Sequence, residues 1–352
     1  MSYTNDLDNP ELYFQTKLYT GNGGTQSITL DGSEDMQPDW VWIKNRSGTD
    51  IHALYDSVRG VNKNLRSDAN SAEGSQSTGL TSFDSDGFGV GDTGSVNTNS
   101  NNFVSWNWKM GTSFSNDASA TSVGTIDSTG SINTAAGQSI ISYSGTGSAG
   151  TVAHGLGAVP KMIIVKSRSH TKDWTVYHSY LGNTKWIELN ATTAEQSSSN
   201  RWNNTSPTSS VFTVATDSSV NASGYTYIAY CFSEIKGYSK FGVYTGNANA
   251  SGGFAYLGFR PAFVIVRDPG NAENWLMYDN KRPGYNLNNN HQFANTNDAE
   301  TASTANTMDL LSNGFKVRST NNGLNRVSSN FFYMAFAESP FVNSNGVPNN
   351  AR

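Results

Sequence analysis

Pro38-Asp39-Trp40-Val41-Trp42-Ile43-Lys44, Pro160-Lys161-Met162-Ile163-Ile164-Val165-Lys166 and Pro261-Ala262-Phe263-Val264-Ile265-Val266-Arg267 are the three stretches that decide how this chain folds. Each runs from a proline, through a strand-forming segment, to a basic residue six places on. In Met162 to Val165 apolar residues occupy successive positions, so both faces of the strand are covered, the pattern of a buried central strand. Each fully buried side chain there contributes roughly 1.5–3 kcal/mol. A proline suits the strand's first position, where no ladder donor is needed. The basic residue is read as ending the strand and returning the chain to water.

The same order of signals surrounds each stretch. Upstream lie the triplets Tyr19-Thr20-Gly21, Tyr143-Ser144-Gly145 and Tyr244-Thr245-Gly246. Seventeen places after each proline sits a tyrosine: Tyr55, Tyr177, Tyr278. A turn and an F-x-V strand follow at Phe88-Val90, Phe212-Val214 and Phe315-Val317, and Asp86-Gly87 and Asn313-Gly314 are strong hairpin signals before two of them. Each unit closes on an aromatic strand: NNFVSWNW, GYTYIAYCF, NFFYMAF. Pro38 to Pro160 spans 122 residues and Pro160 to Pro261 spans 101, too long for a solenoid and long enough for each unit to hold its own core.

The expectation is therefore an all-β chain: three tandem β-sandwich domains, jelly-roll or lectin-like, of about 100 residues each, strung like beads. The boundaries read as an N-terminal arm at 1–11, units at 12–109, 139–237 and 238–342, and a polar C-terminal tail at 343–352. The Ser/Thr/Gly/Ala-rich span 110–138 reads as a linker. Helical signal is scarce: 53–66 carries a faint 3.6-residue pattern broken by Gly60, and 298–311 offers a short helix.

Composition agrees. Of 352 residues only 14% are charged and 12% are aromatic, so wholesale disorder is excluded. Ser and Asn make up roughly a quarter of the chain, a turn-forming surplus. A net charge of −5 offers no basic field for a phosphate backbone, so nucleic acid is not an expected partner. Cys231, the single cysteine, makes neither an intrachain disulfide nor a thiolate metal site. No apolar run reaches the length of a membrane span, and the first residues lack the basic and apolar regions of a signal peptide.

Little chemistry is written in the side chains. Asp84-Ser85-Asp86-Gly87 resembles part of a calcium loop but lacks the remaining ligands, so it reads as a turn. The histidines fall in no metal spacing. His52 and His178 lie near the repeated strand, where the third unit is read as carrying Leu276 and Asp279, so no shared mechanism uses them. No pair of carboxylates recurs and no nucleophile elbow occurs, which argues against an enzyme; no cofactor or metal is expected. The Asn-x-Ser/Thr matches at Asn45, Asn190 and Asn203 read as loop residues. Trp186, Trp202 and Tyr285 lie outside the shared strands and are the candidates for stacking on sugar rings, with Asn and Ser supplying neutral hydrogen bonds.

The strings GLGAVPKMIIVKSRS, DWTVYHSYLG, GYTYIAYCFSEIKGYSKFGVYTGN and GFRPAFVIVRD resemble a repeat abundant in proteins of tailed phages, especially phages of marine bacteria, usually labelled tail-fibre-like. The resemblance covers most of residues 12–340. It implies a virion structural protein assembled in the host cytoplasm and in contact with other virion proteins, and it implies no catalytic residues. A tail fibre or receptor-binding appendage touching host surface glycans is the leading expectation. Several weak sites per particle raise avidity by about 10²–10⁴. A homo-oligomer, a trimer by analogy, is expected. The alternatives are a head decoration or other particle-stabilising protein and, third, a polysaccharide depolymerase.

Overall fold

A computed structural model describes residues 7–282 and 286–349. The chain is all-β, and its helices are single turns such as Gly94–Asn97 and Ser199–Trp202. Each unit builds a main antiparallel sheet in one order: opening strand, closing strand, proline-led strand, tyrosine strand. In the first unit these are Phe14–Thr20, Asn102–Trp108, Trp40–Asn45 and Ala53–Asp56; in the second Gln138–Ser144, Thr226–Phe232, Met162–Ser167 and Thr175–His178; in the third Ser239–Thr245, Asn330–Pro340, Phe259–Arg267 and Leu276–Asp279. A smaller sheet containing the F-x-V strand covers one face of each. The two hairpin signals hold, since Asp84 pairs with Gly87 and Leu311 with Gly314 across two-residue turns.

The units are not beads. Along the proline-led strands, Val41 and Ile43, Ile163 and Val165, and Val264 and Val266 each face a sandwich core private to their own unit. Their alternating neighbours, Trp40 and Trp42, Met162 and Ile164, and Phe263 and Ile265, all enter one cluster shared by the three units. The closing strands add Trp106 and Trp108, Tyr230 and Phe232, and Met334 and Phe336 to it. The doubly apolar pattern thus marks a strand between two cores, one of them built jointly. Trp40 stacks on Trp108 at 4.3 Å and on Tyr230 of the second unit at 4.5 Å.

The contacts between units run in one rotational sense and close a ring. Glu73 N–H donates to the Arg168 carbonyl (2.8 Å), Glu195 N–H to Pro269 (2.7 Å) and Glu300 N–H to Arg46 (2.9 Å), linking units one to two, two to three and three to one. A second set runs the other way: Trp174 Nε1 donates to the Arg66 carbonyl and Trp275 Nε1 to Glu188, while His52 Nε2 reaches Phe293 at 2.9 Å. His52 therefore corresponds to Trp174 and Trp275, fourteen residues after each proline, and not to Leu276. The ring contacts give the body a pseudo-threefold arrangement.

The triplets owe their constancy to a buried asparagine that the sequence reading missed. Asn97, Asn221 and Asn325 each hold the hairpin after the opening strand: Asn221 accepts from Thr146 N–H and donates to the Ser148 and Ala215 carbonyls, and Asn97 and Asn325 repeat the pattern. The tyrosine hydroxyl of each triplet donates to the carbonyl just before that asparagine. The glycine passes so close that a Cβ on Gly21, Gly145 or Gly246 would lie 2.2, 2.2 or 2.1 Å from a backbone oxygen. Gly145→Ala is expected to lower stability by about 1–3 kcal/mol through this overlap, read as a drop in thermal midpoint.

Three other expectations change. Residues 110–138 are not a linker: Thr112–Asn116 and Ser128–Asn133 add two strands to the second unit's sheet. Residues 53–66 and 298–311 form no helix; they carry the strands Ala53–Asp56, Lys63–Asn64, Thr301–Ala302 and Met308–Leu311. Within the arm, Leu7 is packed into the shared core, and the tail bends back, with Ser344 N–H donating to Asp8 at 2.8 Å. Residues 1–6 and 350–352 lie outside the described residues.

Candidate binding surfaces

The repeated positions belong to the frame. Pro38 and Pro160 precede their strands by two residues, while Pro261 sits inside a longer strand at an irregularity in the ladder. Tyr55, Tyr177 and Tyr278 are buried in their own sandwich cores. Lys44, Lys166 and Arg267 do not return the chain to water: all three are buried. Lys166 Nζ donates to the Asn70 carbonyl of the first unit, and Arg267 Nη2 to Thr192 and Thr193 of the second, so these cations pin loops across unit boundaries. Burial pulls Lys44 and Lys166 down to about 8 and Arg267 to about 10.

Buried ion pairs join the same boundaries. Asp56 accepts from Arg59 Nε at 2.5 Å and from the Tyr230 hydroxyl of the second unit at 2.7 Å. Asp279 accepts from Arg282 Nε at 2.5 Å and from Trp106 Nε1 of the first unit at 3.0 Å. Glu73 then bridges Arg59 to Arg168, and Glu300 bridges Arg282 to Arg46. The second unit has His178 and Leu181 in these places, and its boundary with the third is made by His178 stacked on Phe332 at 4.5 Å.

Of the proposed sugar-stacking residues, Trp186 and Trp202 are buried and plug the end of the second sandwich. Trp202 Nε1 donates to the Lys185 carbonyl, and the Arg201 guanidinium covers the Trp186 ring at 4.8 Å. Neither offers a free face. All eight tryptophans are in fact buried, because the chain spends its largest apolar rings on the cores. Tyr285 lies outside the described residues. Cys231 is buried and its thiol is pushed up to about 12, which leaves it inert as a nucleophile. Among the described residues no three His, Cys, Asp or Glu side chains gather as a metal site, and no helix is long and apolar enough to cross a membrane.

Open surface with recognition chemistry lies instead on the two added strands. Two grooves flank Ser128–Asn133. One is lined by Thr125, Asp127, Thr129, Ser142, Ser144 and Thr146, the other by Ser57, Ser113, Phe114, Ser115 and Ser131. The register sets Ser115 opposite Thr129 and Thr129 opposite Ser142, a row of hydroxyls across three neighbouring strands. Hydroxyls donate and accept without charge, which suits polyhydroxylated ligands and activates no nucleophile. Among the described residues, neither of the other two units has strands added beyond its opening strand.

No curated protein and no solved structure matches the chain. A family model does match, over residues 9–340, a span that runs through all three units. The chain therefore belongs to the family described as Domain of unknown function (DUF7483).

Proposed function

We propose that this protein is a non-catalytic structural component of a phage particle, a tail fibre or receptor-binding appendage that touches host surface glycans. The observation that carries the reading is the hydroxyl-lined pair of grooves, placed where added strands break an otherwise pseudo-threefold frame. His52 and His178, both pulled well below the ordinary histidine value by burial, sit in contacts between units, which supports a structural role for them. Three sheets already close a ring within one chain, so the repeat surfaces are buried without a second copy. Contact with other virion proteins belongs to the same proposal.

Immunogold labelling of intact particles tests the placement. Label at the tail tip is expected, and label over the head would replace this reading with that of a capsid decoration. Glycan-array binding by the purified chain is expected in parallel, with weak affinities. Release of reducing ends from host polysaccharide would overturn the non-catalytic reading.

A further inference from the structure

Because the chain contains three versions of one unit, a residue that the fold does not need can be recognised by internal comparison. In each small sheet a strand pairs with the F-x-V strand so that its middle residue meets the phenylalanine: Ile28 with Phe88, Val152 with Phe212, Ala255 with Phe315. That middle residue is buried in the private core every time. Its two neighbours lie on the opposite side of the strand. The first two units put Ser27 and Thr29, and Thr151 and Ala153, at those places, so small or hydroxyl-bearing side chains suffice for folding. The third unit puts Phe254 and Tyr256 there, 45% and 54% exposed.

The rings sit in a built setting. A Cβ on Gly314 would lie 3.1 Å from Phe254 Cε2, so the ring reaches over bare backbone. Lys240 Nζ stands 5.4 Å from the centre of the Tyr256 ring. Lys316 is the register partner of Phe254, and the next residue across the sheet, Asp309, is paired with Arg318 at 3.1 Å. Two exposed rings therefore stand at the surface of a chain of net charge −5, Tyr256 with the Lys240 ammonium over one face and Phe254 opposite Lys316 across the ladder.

We propose that Phe254, Tyr256, Lys240 and Lys316 form a binding site for an acidic oligosaccharide. This rests on the glycan-contact reading above and assigns it a second site and a ligand class. The Phe254 ring takes the C–H face of a sugar residue, the Tyr256 ring holds Lys240 in place by its cation–π contact, and Lys240 and Lys316 take the sugar's carboxylate or sulfate. A second copy of the chain is the other occupant such a face admits. It is disfavoured because Lys240 lies on Ser239–Thr245, which borders its sheet, and a charged residue on an edge strand opposes pairing between copies.

The test uses the full chain, its F254S/Y256T variant, which carries the first unit's own residues at these places, and K240Q. Unchanged thermal midpoints show that the variants fold. Titration calorimetry with a galacturonic-acid hexamer and with neutral cellohexaose is expected to give at least ten-fold tighter binding of the acidic hexamer by the wild type. F254S/Y256T is expected to lose at least ten-fold, and K240Q to bring the two hexamers closer together. Acidic-hexamer binding that survives F254S/Y256T overturns this site and leaves the glycan reading standing. Equal affinity for cellohexaose overturns the acidic preference. Absence of binding to both hexamers by the wild type, together with an empty glycan array, overturns the glycan reading itself. A wild-type dimer in sedimentation equilibrium that F254S/Y256T dissolves assigns the face to self-association and overturns the proposal.

Discussion

Acidification from pH 7 to pH 4 is expected to unfold this protein. His52, His154, His178 and His291 are all buried, and burial holds them well below the ordinary histidine value of 6.5, His52 at about 3 and the others at about 4. For three of them the hydrogen bonds explain why a proton is refused. Nδ1 already accepts, from Trp42 Nε1 in His52, from Leu156 N–H in His154 and from Tyr180 N–H in His178, while Nε2 faces a carbonyl. A second proton would set donor against donor. The unfolded chain takes up protons near pH 6.5 and the folded chain does not, so the stability these residues lend is complete above 6.5 and drains as pH falls towards 4 and 3. The loss approaches roughly 3 kcal/mol per histidine at pH 4, and together it rivals the whole stability of an ordinary domain. Glu300, held low by Arg46 and Arg282 against the pull of burial, adds to the loss, while Asp39 and Glu188, raised by burial, act in the opposite sense. Urea midpoints followed by tryptophan fluorescence should fall steadily from pH 6.5 downward. A midpoint flat between pH 7 and pH 5 would falsify the account.

The second large effect is expected at Asp56. Asp56→Ala removes the carboxylate from the buried Arg59 and the acceptor from Tyr230, and it should cost about 3–5 kcal/mol, because a buried guanidinium loses its main counter-charge. Arg59→Leu alone strands Asp56 in the same way. Asp56→His with Arg59→Leu copies the arrangement at His178 and Leu181, where the chain closes a boundary without an ion pair. The double variant should therefore be more stable than the losses of Asp56→His and Arg59→Leu summed would allow, with a coupling of about 1–3 kcal/mol in the double-mutant cycle those three variants complete. Additive losses would show that residues 56 and 59 are not energetically coupled and would overturn the account.

Much of the frame was legible in the sequence because it repeats. The proline-led strands, the triplets, the seventeen-residue spacing and the two hairpin turns each recur, and the strands appear where those signals put them. Tyr19, Tyr143 and Tyr244 announced a motif whose other half, Asn97, Asn221 and Asn325, was hidden among many ordinary asparagines; its signal was the recurrent apolar-Asn pair at 96–97, 220–221 and 324–325. What could not be read was the occupant of the second face of each central strand. Periodicity shows that Trp40 and Trp42 are buried but not that Trp40 stacks on Tyr230, since that partner lies more than a hundred residues away. The same blindness made Lys44, Lys166 and Arg267 look solvated, because a cation at a strand end usually is. Loop tryptophans misled for a related reason: Trp186 and Trp202 stand outside the shared pattern yet fill a sandwich end, and the exposed rings, Phe254 and Tyr256, lie inside a strand that the pattern treats as routine.

The jointly built centre has a consequence during synthesis. The first unit's wall, Trp40, Trp42, Trp106 and Trp108, is complete once residue 108 is added, yet Phe336, which packs edge-on against Trp108 at 5.7 Å, arrives near the end of the chain. At ribosomal speeds of about 5–20 residues per second, that greasy wall waits roughly 10–50 s on the nascent chain before its last partner emerges. Truncated chains ending after the first or second unit should therefore recruit chaperones or precipitate in the producing cell, and the finished body should appear only when the third unit leaves the ribosome.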